Sequence, residues 1–162
     1  MSENTYTLSY RLEGIDSLKQ ALKGQRIVSL LHPKTQTLSE TWALLLRFDS
    51  GKVVKVSSIF SPVGGWQEMG SLLFSDGQEI SHKEFSEVLI DGFLIEKNVG
   101  LCFEDEEVYA EVGIKLVSED MRELIVMSSV SPGSVSVKSD FFSGDFVPEV
   151  RLEDCKELDF SS

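Results

Sequence analysis

Two histidines, two cysteines and a run of four adjacent acids are the residues of this chain whose types could do chemistry. His32 and His82 stand far apart in sequence, and Cys102 and Cys155 are separated by 53 positions with no CxxC pair. A Cys–His nucleophile needs a hydrogen-bonded pair in a cleft, and this spacing does not supply one. Cys102 falls between Leu101 and Phe103, where an unpaired cysteine behaves as a small hydrophobe. A structural zinc site draws about four ligands together; two His and two scattered Cys do not make that set, so no metal is expected. Gly133-Ser134-Val135-Ser136-Val137 lacks the second glycine of a nucleophile elbow and reads as a turn running into a strand. Neither GxGxxG nor GxxxxGKS/T is present, so there is no phosphate cradle and no cofactor is expected.

The acids Glu104, Asp105, Glu106 and Glu107 lie between Leu101-Cys102-Phe103 and Val108-Tyr109. A calcium loop needs oxygen ligands at alternating positions and a central glycine. Here the acids are adjacent, and on a strand neighbouring side chains leave by opposite faces. Two like charges ~4 Å apart repel by about 1 kcal/mol in water, and by more when desolvated. The run must therefore be solvated or matched by cations, as a wet hairpin tip or as a docking surface for Lys and Arg. A second candidate is Ser139-Asp140-Phe141-Phe142-Ser143-Gly144-Asp145-Phe146. Phe141 and Phe142 on a loop with an acidic rim could anchor a partner, or turn inward and plug the end of a sheet.

Strands must position these residues. Tyr6, Leu8, Tyr10 and Leu12 alternate with polar positions, the period of a half-buried strand. Ile15, Leu18 and Leu22 then fall at helical spacing, with Asp16 early and Gly24 just beyond. Residues 27–31 are a short buried run. Thr41–Phe48 and Lys52–Ile59 form a hairpin around Asp49-Ser50-Gly51. Ser81 to Glu84 fits a capping box, but Val, Ile and Phe crowd the residues after it, favouring a strand from Glu87 to Glu96 bent at Asp91-Gly92. Val99, Leu101 and Phe103 share one face, and Val108, Ala110, Val112 and Ile114 share one face of a returning strand, with Glu107, Tyr109 and Glu111 opposite. Glu123–Ser129 and Ser134–Lys138 form a last hairpin, and the C-terminal stretch is a short helix or an edge strand. Lys55-Val56-Ser57-Ser58-Ile59 and Val126-Met127-Ser128-Ser129-Val130 echo each other, as a duplicated unit or as two Ser-rich strands. The expected fold is mainly β (α+β), antiparallel sheets forming a sandwich or partly closed barrel with one to three short helices. At 162 residues, a single domain over 1–162 is expected.

Net charge is -12 and uneven. Residues 1–60 hold eight Lys/Arg against five Asp/Glu, and residues 61–162 hold seven against twenty-two. Such asymmetry either steers a basic partner or serves solubility alone, and it repels nucleic acid. No apolar run is long enough to span a membrane. The N-terminal residues lack a basic segment followed by an apolar core. Together with the unpaired cysteines, this gives a cytoplasmic expectation.

Gly113-Ile114-Lys115-Leu116, Ser118-Glu119-Asp120, Glu123 to Ser129 with Pro132, and Phe146-Val147-Pro148-Glu149 resemble the C-terminal portion of small acidic bacterial β-proteins, among them immunity proteins of polymorphic or contact-dependent toxin systems. The pattern departs at the acidic turn, where Met121 stands in place of the glycine such hairpins often carry. The resemblance implies a protein that neutralises a basic, nuclease-like toxin domain by occlusion, without catalysis of its own. Its candidate contacts are Glu104, Asp105, Glu106, Glu107, Glu111, Glu119 and Asp120, with Phe141 and Phe142 as anchors. Two rival expectations come from other classes. One is a small β-barrel that binds a ligand, or an enzyme using His32 or His82, which needs an enclosed pocket. The other is a homo-oligomer subunit built on an exposed edge or apolar patch.

Overall fold

The computed structural model describes residues 8–10, 12–22, 25–62, 68–78, 82–104, 108–131, 133–142 and 144–159. Among these residues, ten strands and one α-helix follow in the order β1 (Leu8–Tyr10), α1 (Ile15–Leu22), β2 (Arg26–Pro33), β3 (Leu44–Phe48), β4 (Val53–Pro62), β5 (Glu68–Asp76), β6 (Phe85–Glu104), β7 (Val108–Ser118), β8 (Glu123–Ser128), β9 (Val135–Ser139) and β10 (Lys156–Asp159). The main path is β5-β4-β3-β2-β6-β7-β8-β9, with β1 parallel to β7 and β10 antiparallel to β6. It is a mainly β, antiparallel arrangement that does not close into a barrel.

The long β6 explains the architecture. Its first half pairs with β2 and its second half with β7. Gly92 takes φ +60, a left-handed conformation open to glycine at little cost, within the register shift of the β2–β6 pairing. The strand passes from one sheet to the other just after it, between Leu94 and Ile95. The sheets β5-β4-β3-β2-β6 and β6-β7-β8-β9 fold face to face over one central core. Leu30, Leu46, Phe48, Val56, Leu72, Phe74 and Phe93 come from the first sheet, and Ile114, Leu116, Leu124, Val126 and Val137 from the second. The outer edge of β9 is met by the residues before β3, with Val135 N donating to Thr41 O at 2.7 Å and Thr41 N returning the bond at 2.9 Å. At the other margin Glu13 bridges to β5, and α1 buries Leu18 in the central core.

On the outer face of the first sheet Gly77, just after β5, lies against Leu45 and Val53, and the outer face of the second sheet carries a strap. The segment from Phe146 to Cys155 crosses the second, covering Leu101, Ala110, Val112, Ile125 and Met127 with Phe146, Val150 and Leu152.

Most expected strands form. The helix over 15–22 is present, and the hairpin around 49–51 forms as Leu44–Phe48 and Val53–Pro62. The capping-box segment yields only a 3-10 turn, His82–Glu84. The strand expected from Glu87 to Glu96 continues to Glu104, because Asp91-Gly92 bends it without ending it. The C-terminus holds both alternatives in succession, a 3-10 turn at Leu152–Asp154 and then edge strand β10. One facing assignment is corrected. Leu101 pairs with Gly113 but Cys102 with Glu111, so Val112 is an extra residue in a β-bulge. The bulge reverses the facing of β7. Val108, Ala110 and Val112 pack into the cluster under the strap, whereas Ile114 faces the central core.

Candidate functional site

The turn joining β7 to β8 places a large apolar side chain in solvent on a backbone that resists it. Met121 has φ +69 and is 76% exposed, the highest exposure among the large hydrophobic residues described. Left-handed backbone costs a side-chain-bearing residue roughly 1–2 kcal/mol, and such outliers persist where their surroundings over-determine them.

The surroundings here do so. Ser118 N donates to Arg122 O at 2.9 Å and Met121 N to Ser118 O at 3.0 Å, closing the turn. Ser118 Oγ donates to Asp120 and accepts from Arg122 N. The Arg122 guanidinium lies 5.3 Å from the centre of the Phe141 ring and 5.8 Å from that of Phe93, and these rings meet edge to face at 5.6 Å. Its Nη2 donates to Gly92 O at 2.7 Å and its Nε to Asp120 Oδ1 at 2.9 Å. Glu119 N donates to Leu94 O at 3.0 Å. The turn is thus fastened to the bend of β6 and to the loop after β9.

The electrostatics of this end follow from the same contacts. The Arg122 guanidinium, then the Ser118 hydroxyl, hold the Asp120 carboxyl down to about 2, so it is charged at any physiological pH. Asp91, Glu119 and Asp140 are exposed around it. The cations here are Arg122, turned inward, Lys115, 3.4 Å from Glu123, and Lys138, which lines a surface hollow of about 160 Å³ together with Met121, Glu123, Ile125, Ser139 and Asp140. The site therefore joins a fixed apolar projection to a predominantly acidic rim.

The expected contact residues divide between two ends of the molecule. Glu119 and Asp120 belong to this turn. Glu104 lies at the opposite end of β7, paired with Lys156 at 3.4 Å, and Asp105, Glu106 and Glu107 lie outside the described residues. At ~3.4 Å per residue, the eleven residues of β7 hold the two ends about 34 Å apart. Glu111 is 8% exposed. Its carboxylate accepts from Leu12 N at 2.9 Å and the Tyr109 hydroxyl at 2.6 Å, so it ties the N-terminal segment to the sheet. Phe141 and Phe142 are half-buried and pack on the central core; Phe141 serves the turn as a support for Arg122. His32 Nδ1 lies 2.9 Å from Pro33 O, and the side chain of His82 lies outside the described residues. Burial, then Glu104 and Glu111, push the Cys102 thiol up, the reverse of an activated nucleophile. No group of three or more His, Cys, Asp or Glu is placed to hold a metal ion among the described residues.

Sequence reasoning picked out the turn's acids but passed over its centre. Met121 was visible only as a residue in a glycine's place. Arg122 gave no signal, because its partners Gly92 and Phe141 are 30 and 19 positions away. Comparison with protein-family models, curated proteins and solved structures finds no match to the chain.

Proposed function

We propose that this chain is a protein-binding module that engages a basic protein and blocks its working surface, without chemistry of its own. In its most specific form it is a cytoplasmic immunity-type protein that neutralises a basic, nuclease-like toxin domain. The observation that carries the reading is where charge lies in the fold. Residues 1–90, which supply four strands of the first sheet, the first part of β6, α1 and the three-residue β1 beside β7, hold ten Asp/Glu against nine Lys/Arg. Residues 91–162, which supply the rest of β6 and β7 to β10, hold seventeen against six. The asymmetry along the chain is thereby an asymmetry between sheets, and a one-sided field of this kind speeds encounter with an oppositely charged surface.

The test is affinity capture on the full chain from its native host, followed by purification of the captured protein and binding isotherms across a salt series. A basic partner is expected, with association slowing steeply as salt rises and with the partner's own activity lost in the complex. A neutral or acidic partner, or salt-independent association, overturns the reading.

A further inference from the structure

We infer that Met121 is the anchor of this interaction, a fixed apolar plug that enters a pocket rimmed by Lys and Arg on the basic partner. The inference rests on the reading above and adds which residue makes the central contact. Three observations converge on it. Met121 is 76% exposed at φ +69, so both its surroundings and its backbone are unfavourable for folding alone. The turn is locked from three directions, by Gly92, Phe93 and Phe141 through Arg122. A projection already fixed in the free protein loses little freedom on binding. Finally, Glu119 and Asp120 precede the methionine in the turn, and Glu123 and Asp140 line the hollow beside it with Lys138 as the one cation there. An apolar centre within a charged rim is the arrangement of an interface anchor, and the sign of the rim specifies a basic collar on the partner. The hollow beside Met121 gives the collar room for one side chain, where the carboxylates of Glu123 and Asp140 outnumber the single ammonium of Lys138.

The experiment uses the full chain and the basic protein captured with it, comparing wild type with Met121→Gly, Met121→Ala and Met121→Leu. Glycine removes the backbone strain along with the side chain. Met121→Gly should therefore melt roughly 2–6 °C higher than wild type while binding roughly tenfold or more weakly. Met121→Ala should bind as weakly without that gain in melting temperature, and Met121→Leu should keep affinity within about threefold. A merely structural methionine would move stability and binding together. If Met121→Gly and Met121→Ala bind like wild type while Glu119→Gln with Asp140→Asn weakens binding, the anchor is wrong and the wider reading stands. If wild type captures no basic protein, both fall. If light scattering shows a dimer that Met121→Gly dissolves, the pocket belongs to a second copy of this chain and the inference is overturned.

Discussion

Between the two sheets, Ser58 Oγ and Ser128 Oγ stand 2.8 Å apart beside Gly70, whose N–H donates to Glu149 Oε2 at 3.0 Å. A Cβ at Gly70 would collide with Ser128 Oγ and come within 3.0 Å of Ser58 Oγ, so glycine is required here for close approach and not for its backbone freedom. Gly70→Ala should destabilise the protein by about 1–3 kcal/mol, the usual range for overpacking. Ser128→Ala alone removes one hydroxyl pair at about 1 kcal/mol and should recover part of the loss when combined with Gly70→Ala. Urea unfolding of the four proteins in the cycle measures this coupling; strictly additive losses would show that the clash is relieved elsewhere. These serines also decide between the two accounts of the Ser-rich echo. The echo matches Val56 with Met127 and Lys55 with Val126, yet Val56 and Val126 face the central core while Met127 lies under the C-terminal strap. Matched positions face opposite ways, which favours two Ser-rich strands over a duplicated unit.

At the scale of elements, β10 fixes the fate of the cysteines. Lys156 pairs with Cys102, and Cys102 lies on the face of β6 opposite Leu101 and Phe103. Cys155, one residue before β10, packs with Leu101 and Phe103 under the strap. The two thiols are near neighbours on opposite faces, and such Cβ vectors cannot be bridged without moving backbone. Burial, chiefly, pushes the Cys155 thiol up to about 11, so little thiolate is present at neutral pH. Treatment with diamide should therefore leave two titratable thiols in the unfolded, quenched protein; their joint loss without change of mass state would mean that β10 detaches readily. The helix, the β3–β4 hairpin and the bend at Asp91-Gly92 were legible because each rests on local signals: helical spacing, a turn glycine and β-branched crowding. β5 was not, because Gly70 and its serines interrupt the alternation for the sake of packing against β8. The reversal at Val112 was hidden because a bulge changes facing without changing residue types. Within the site, the acids could be read but Met121 could not, since residue type argues against the left-handed conformation that the fold imposes on it. Pairing across strands, which brings Arg122 to Gly92, has no local signature.

At the scale of the whole molecule, the place where β6 crosses between sheets is also where the charge changes character. Residues 91–162 carry a net -11 on about half the fold, and that half must be held compact against its own repulsion. Local pairs offset some of it. Lys115 donates to Glu157 at 2.5 Å and lies 3.4 Å from Glu123, while Lys97 lies 3.7 Å from Glu157. The hydrogen bond to Glu157 raises the Lys115 ammonium and lowers the Glu157 carboxyl, two consistent signs of attraction. These partners are partly solvated, where an ion pair contributes only about 0–1 kcal/mol. Six cations cannot neutralise seventeen acids, so net repulsion should outweigh the pairs. Added salt screens both, with the Debye length falling from roughly 30 Å at 0.01 M to 3 Å at 1 M. The prediction is that the melting temperature of the free protein rises by several degrees as NaCl increases across that range, while affinity for a basic partner falls. Replacing Glu104 and Glu153 with Gln should shrink the rise, because both belong to the acidic half. A melting temperature that instead falls with salt would mean that the Lys115–Glu157 lattice dominates, and that the acidic half is balanced internally with no excess field to direct toward another protein.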